Sequence, residues 1–245
     1  MNCPLVRVAH RGASVECPEN TLLAFRRAIA YGMDAFELDV YLTRDDQLVV
    51  IHDPILDRTT TGAGRVREHS LAKIQRLDAG QGQYAPSLAE VFSLVRSTAV
   101  RLCVEVKGET EAESLTIAEA IVRSLEQADF LERAIVTSFS QAALLRVKAL
   151  QPALATMLDP TPQDGTLTPR QICEQTLRAG ANVLSYDFQF VTRAVADECR
   201  LTGLALWPWA PNTADEIRSM VQLGVPGLMT DCPDVLNKVL NESAI

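Results

Sequence analysis

Two carboxylates stand two residues apart inside an apolar run, Phe36-Glu37-Leu38-Asp39-Val40. Strand side chains alternate between faces, so Glu37 and Asp39 share one. Burying two like charges side by side is costly unless a cation joins them. The run Val104-Glu105-Val106-Lys107 repeats the device, with Glu105 and Lys107 on a common face. An ordinary ion-pair network would explain either run alone. Three carboxylates aimed at one place, Glu37, Asp39 and Glu105, fit a hard divalent cation, Mg²⁺ or Ca²⁺. Zinc fits less well, because the six cysteines are scattered and the histidines lack ligand spacing. Of the three histidines, His10 and His52 each end an apolar run, in Ala9-His10-Arg11-Gly12 and Ile51-His52-Asp53-Pro54. His69 lies beside Glu68 in an irregular stretch and is assigned no role. Arg11 beside His10, and Lys107 beside Glu105, suit an anion. Together with a metal they would hold and neutralise a phosphoryl group. Trp207 and Trp209 also share a strand face, as core packing or as an aromatic wall against a bound alcohol.

These residues need a scaffold that brings strand ends together, and the rest of the chain describes one. Strands are expected at 5–10, 35–42, 48–52, 101–106, 134–139, 154–158, 183–186, 204–210 and 227–230. Amphipathic helical patterns lie between most of them, at 20–31, 87–97, 111–128, 140–150, 169–179, 193–202 and 214–223. Gly32, Gly180, Gly203 and Gly224 each follow such a run, as a C-terminal cap should. Asn20 or Thr21 is placed to cap the first helix. Alternation of this kind means a parallel sheet covered by helices. Only 43–47 separates the second and third strands, too short for a parallel crossover, so the third strand returns antiparallel. Eight parallel strands are left, which favours a closed (β/α)₈ barrel over an open doubly wound sheet. In such a barrel the site lies at the C-terminal strand ends.

The hairpin carries a definite expectation. If Thr43 pairs with Leu48 around a four-residue turn, His52 falls opposite Asp39. Directly opposed residues share a face about 5 Å apart at Cβ, and a slip of one residue would point the histidine away. Residues 54–86 interrupt the alternation with Gly62, Gly64, Gly80, Gly82 and Pro86, and carry one short helical stretch near Ser70–Leu77. They read as an insertion over one barrel end, within a single domain spanning 1–245, because about 30 residues cannot bury a core of their own.

The chain has 245 residues, 47% hydrophobic and 22% charged, within the normal range for a soluble globular protein and near the usual barrel length. A net charge of −8 argues against nucleic-acid binding. The cysteines Cys3, Cys17, Cys103, Cys173, Cys199 and Cys232 contain no C-x-x-C pair and read as reduced thiols. Met1-Asn2-Cys3-Pro4 runs straight into a strand without a signal sequence, and no run reaches the ~20 apolar residues of a membrane helix. A soluble cytoplasmic protein that does not insert into membranes is expected.

In order along the chain, the motifs are His10-Arg11-Gly12, Pro18-Glu19-Asn20-Thr21, Glu37-Leu38-Asp39, His52-Asp53 and Leu56-Asp57-Arg58-Thr59-Thr60-x-Gly62. They continue with Glu105-Val106-Lys107, Ser138-Phe139 and Thr230-Asp231-x-Pro233. This ordered set resembles the short bacterial type of the glycerophosphodiester phosphodiesterase family. The resemblance implies a TIM barrel with a small insertion, one divalent cation, and hydrolysis of a small glycerophosphodiester to glycerol 3-phosphate and an alcohol. By the same resemblance Glu37, Asp39 and Glu105 bind the metal, His10 and His52 are the acid–base pair, and Arg11 and Lys107 bind phosphate. The route it implies passes through a cyclic glycerol phosphate. Two other readings stay open: a lysophospholipase D or phospholipase C-like enzyme on the same barrel, and a non-catalytic barrel that binds phosphodiesters. The first would want an apolar entry rim, and Tyr84 is the one aromatic residue of 54–86. The second would have little use for both histidines and all three acids.

Overall fold

The computed structural model describes residues 5–160 and 167–242; Cys3 and the rest of 1–4 lie outside the described residues. From the N-terminus run β1 (Val6–Ala9), α1 (Leu22–Ala30), β2 (Ala35–Leu42), β3 (Leu48–Val50), α2 (Leu71–Ile74) and α3 (Leu88–Val95). Then come β4 (Arg101–Val106), α4 (Glu111–Ala128), β5 (Ala134–Ser138), α5 (Gln141–Leu150), β6 (Ala155–Leu158) and α6 (Pro169–Arg178). The chain ends with β7 (Val183–Asp187), α7 (Arg193–Thr202), β8 (Ala205–Trp209), α8 (Ala214–Leu223), β9 (Gly227–Thr230) and α9 (Pro233–Glu242).

The strands pair in the order β8-β7-β6-β5-β4-β2-β1-β9, all parallel, with β3 antiparallel on β2. This is a nearly closed (β/α)₈ barrel. At the seam, β8 and β9 meet through side chains: the Trp207 indole lies flat over Gly227, where a Cβ would come within 2.5 Å of the ring. Asn212 also accepts from the Thr230 hydroxyl and the Asp231 amide, at 2.9 Å each. Outward residues such as Phe36, Leu38 and Val40 pack under the helices, with Phe25 of α1 stacked on Phe36 at 4.3 Å between centroids. Inward, Val8, Ala35, Cys103, Met157, Val183, Trp207 and Met229 fill the lower barrel with a separate apolar layer.

The hairpin differs from the expected register by one residue. Leu42 pairs with Leu48 and Val40 with Val50, while the Thr43 N–H bonds the Gln47 carbonyl at 2.9 Å. The loop therefore has three residues, 44–46, closed by Asp46 at φ +54, the left-handed residue that follows a type I turn in such hairpins. Asp39 consequently faces Ile51, whose N–H reaches the Asp39 carbonyl at 3.0 Å, and not His52. Because β3 stops at Val50, the chain leaves the ladder before His52 and is free to turn that ring by another route.

Residues 54–86 cross the C-terminal end of the barrel, tied to the first βα loop where Arg58 grips Glu19. At the start of α1, Thr21 is the cap, accepting from the Ala24 N–H, and Asn20 does something else.

Candidate active site

Glu37 and Asp39 project inward from β2 and Glu105 from β4, where Asp39 pairs directly with Glu105. All three are buried, and one oxygen from each lies within 4.8 Å of the others. The Glu37 Oε1 and Asp39 Oδ1 atoms have no hydrogen-bond partner. Burial, then Asp39 and Glu105, push Glu37 well above the usual carboxylate range. Burial and Asp39 push Glu105 up to about 8. Asp39 goes the other way: burial opposes its charge, but Lys107 and Arg11 outweigh it and hold it ionised. Lys107 Nζ lies 2.9 Å from Glu105 and 3.4 Å from Asp39, and Arg11 Nε lies 3.3 Å from Asp39. With all three acids ionised, the form in which they would hold a cation, the two fixed cations leave this cluster one charge negative. A divalent ion would make it positive, the sign that a phosphodiester anion needs. The trio thus fits a hard cation by its oxygen donors, its burial and its open oxygens.

The two histidines line the same cavity as Glu37 and Glu105. His10 follows β1, and its Nδ1 is 2.7 Å from Asp231, just past β9. Asp231 also accepts from Ser14 at 3.0 Å and Asn212 at 2.6 Å. Burial works against its charge, yet these partners hold it at about 2. His52 Nδ1 is 2.6 Å from Asp53, held at about 2 chiefly by Arg58. Ionised carboxylates only accept, so in each neutral ring Nδ1 carries the proton and Nε2 is the free base. His10 Nε2 points back toward Glu37, 3.9 Å away. Burial lowers the His52 pKa, against the pull of Asp39.

The backbone between β1 and α1 is shaped around these groups. Arg11 and Asn20 both take left-handed φ, +56 and +58, a conformation non-glycine residues hold only under tertiary constraint. It turns the Arg11 N–H onto Glu37 at 3.1 Å. Asn20 is buried; its amide donates to Asp39 Oδ2 at 2.7 Å and its carbonyl oxygen accepts the Asp39 N–H at 3.3 Å. Gly12 at φ +82 lets the loop lie on α1, since a Cβ there would sit 2.7 Å from the Ala24 backbone.

His10, Arg11, Glu37, His52, Glu105 and Trp209 line one cavity of about 170 Å³ at the C-terminal mouth; Asp39 and Lys107 are not among its lining residues and contact it through Arg11 and Glu105. The two tryptophans are divided: Trp207 belongs to the apolar layer below, and Trp209 stands at the mouth beside His10 and Phe139. A cavity of similar size between Tyr41, Val66 and Ile117 lies away from every one of these groups. Asp53, Asp231, Asp159 and Ser185 are the site residues that the motifs left without a role, and Asn20 was read there only as a candidate helix cap. A hydrogen-bonding side chain beside a strand-end histidine was the available signal for Asp53 alone.

The model of the glycerophosphoryl diester phosphodiesterase family matches residues 10–235. A glycerophosphodiester phosphodiesterase of Caldanaerobacter subterraneus subsp. tengcongensis is 36% identical over 236 residues, covering 94% of this chain and 95% of that protein. One from Bacillus subtilis is 32% identical over 258 residues, covering 96% of this chain and 86% of that one. The structure of an Oleispira antarctica phosphodiesterase in complex with the product sn-glycerol-3-phosphate superposes with a TM-score of 0.87 at 25% identity, covering 98% and 97% of the two chains.

Proposed function

The chain belongs to the glycerophosphoryl diester phosphodiesterase family, and from that membership we propose that it hydrolyses glycerophosphodiesters to glycerol 3-phosphate and an alcohol at the barrel mouth, with one divalent cation. The observation that carries the metal is the buried trio Glu37, Asp39 and Glu105, whose like charges and open oxygens call for an ion. These three residues would hold it, and Mg²⁺ and Ca²⁺ both suit an all-oxygen set. When bound, the ion supplies positive charge to the phosphoryl oxygens.

The chain's own residues supply the rest. Arg11 and Lys107 orient the phosphoryl group by charge-assisted hydrogen bonds. The His10 Nε2 accepts the proton of the glycerol 2-hydroxyl as that oxygen attacks phosphorus. His52, protonated at Nε2, gives its proton to the oxygen of the departing alcohol as the P–O bond breaks. Water then opens the cyclic phosphate with the two proton roles reversed. Asp231 and Asp53 keep both rings turned inward and stabilise the imidazolium each forms in turn. Each histidine is worth about 10²–10⁴-fold, so positioning and charge must provide most of the acceleration. The dispersed cysteines support a reducing compartment, and the cytoplasm is the proposed location; the described ones are free thiols.

The test is turnover of glycerophosphocholine. Excess chelator should abolish it, and added Mg²⁺ or Ca²⁺ should restore it. Full turnover in chelator, with no metal by elemental analysis, would sink the reading.

A further inference from the structure

Two thiols meet on the helical side of the barrel, among groups the reaction does not use. Cys173 lies midway along α6 and Cys199 in the second half of α7. Their sulfurs are 3.7 Å apart, close enough to share a hydrogen bond. Cys173 is fully buried and Cys199 is 1% exposed. The shared hydrogen bond favours the Cys173 thiolate over the opposition of burial, and it disfavours the thiolate of Cys199. One sulfur is therefore suited to attack and the other to follow. Disulfide sulfurs stand about 2.05 Å apart, so the two side chains need to close by less than 2 Å across one helix–helix contact.

The position of the pair gives such a bond something to hold. The two cysteines are 26 residues apart in sequence, and the whole of β7 lies between them. β7 pairs with β6 at two positions, Met157 with Val183 and Leu158 with Leu184. On its other side is β8, the last strand of the ladder before the seam. The covering helices are lightly anchored. α6 buries Ile172, Cys173 and Thr176, and α7 buries Val195, Ala196 and Cys199. The thiols thus form part of the small buried strip that fixes this unit to the barrel. Few buried apolar contacts mean low local stability, and an opening of α6 against α7 exposes both sulfurs to a small oxidant.

We propose that Cys173 and Cys199 are a redox modification site, at which a peroxide forms a disulfide that locks α6 to α7 around β7. The Cys173 thiolate attacks one oxygen of hydrogen peroxide. The O–O bond breaks, the departing hydroxide takes up the Cys173 proton as water, and a sulfenic acid remains. The Cys199 sulfur then attacks the Cys173 sulfur. The S–S bond forms, the S–O bond breaks, and the hydroxide leaves with the Cys199 proton as a second water. Two thiols lose two electrons, and one peroxide gains them. In a reducing compartment the pair rests as thiols. Both sulfurs lie in the outer apolar layer with Leu184 and Leu206, not in the inner layer beneath the mouth, so the bond acts on stability.

The test is a thiol map of the whole protein. Folded wild type is kept in dithiothreitol or exposed to hydrogen peroxide, then unfolded, alkylated and digested for mass spectrometry. The oxidised sample should contain one intramolecular linked pair of peptides joining Cys173 to Cys199, two hydrogens lighter than the reduced pair. It should melt about 5–10 °C higher than the reduced protein, and dithiothreitol should reverse the rise. Amide exchange over 183–202 should slow by about tenfold or more. Cys173→Ala and Cys199→Ala, treated identically, should show neither the link nor the rise; the wild-type map and melt stand without them if either variant fails to fold. Both thiols still open to alkylation after peroxide would overturn the proposal. So would a sulfinic acid at Cys173 without a link, a link that forms only in unfolded protein, or a linked form that melts no higher than the reduced one. None of these measurements involves turnover, so the outcome does not depend on the proposed reaction.

Discussion

The floor and the mouth of the barrel come from the same strands by the same alternation, and they differ in everything else. Two residues beyond Val8 stands His10, and two and four residues beyond Ala35 stand Glu37 and Asp39. Cys103 is followed on its face by Glu105, Met157 by Asp159, Val183 by Ser185 and Met229 by Asp231. A step of about 6.6 Å along each strand therefore separates a packed apolar layer from a ring of charged and polar groups. The floor makes the mouth possible. It excludes water beneath the acids and ties strands whose upper ends repel one another. The difference teaches where each kind of mutation should register: floor substitutions in stability, mouth substitutions in turnover.

The largest expected effect lies in the acidic trio. Glu37→Gln or Asp39→Asn should weaken metal binding by calorimetry and lower turnover by about 10³-fold or more, since a metal contributes several kcal/mol to such a transition state. Glu37→Gln should at the same time leave the metal-free melting temperature unchanged or raise it, because a neutral isostere replaces a carboxyl whose charge burial and its acidic neighbours already oppose. A drop in metal-free stability comparable to a core truncation would erase the distinction between the two layers.

Next come the histidines. His52→Ala should lose about 10²–10⁴-fold on glycerophosphocholine and much less on a glycerophospho-nitrophenyl ester, whose leaving group departs without a proton. His10→Ala should be poor on both. Rescue of His10→Ala alone by the good leaving group would exchange the assigned roles.

The floor predicts the opposite pattern. Met157→Ala should cost about 2–5 kcal/mol in denaturant unfolding, with kcat/KM per folded molecule close to wild type. A selective loss of turnover at unchanged stability would mean that the floor shapes the site directly.

The smallest effect is in acid. Asp53 is held at about 2 chiefly by Arg58, below its ordinary 3.8. A carboxylate depressed in the folded state adds stability that is present above pH 3.8 and is lost as pH falls through about 2. Arg58→Met should remove part of that pH dependence and leave stability near neutrality only slightly lower, since Arg58 is about half exposed. Identical acid unfolding curves would show the Arg58–Asp53 pair to be idle in stability.

Most of the architecture was legible because a two-residue period repeats on every strand. Glu37, Asp39, Glu105 and Lys107 could be assigned to one interior from that period alone, and the short link at 43–47 was enough to make β3 antiparallel. The hairpin register was not legible in the same way. It hung on whether the loop had three residues or four, which Asp46 decided by taking a left-handed φ. His52 still lines the cavity, because the strand ends at Val50 and Asp53 with Arg58 turns the ring. Asn20 looked like a helix cap, and its buried clamp on Asp39 depends on a loop conformation that no local pattern signals.

The amino-acid order by itself determined the strands, the helices between them and which side chains face inward, since these follow from local periodicity and turn chemistry. Only the tertiary structure decided which inward groups meet. Asp231 reaches His10 across 221 residues because β9 pairs with β1. Ser185 pairs with Trp207, and Trp209 stands two residues farther along β8, opposite Asp187, so only the strand register places Trp209 above the floor and in the same cavity as Asp159 and Ser185. Barrel closure sets those distances, and closure is a property of all eight parallel strands together.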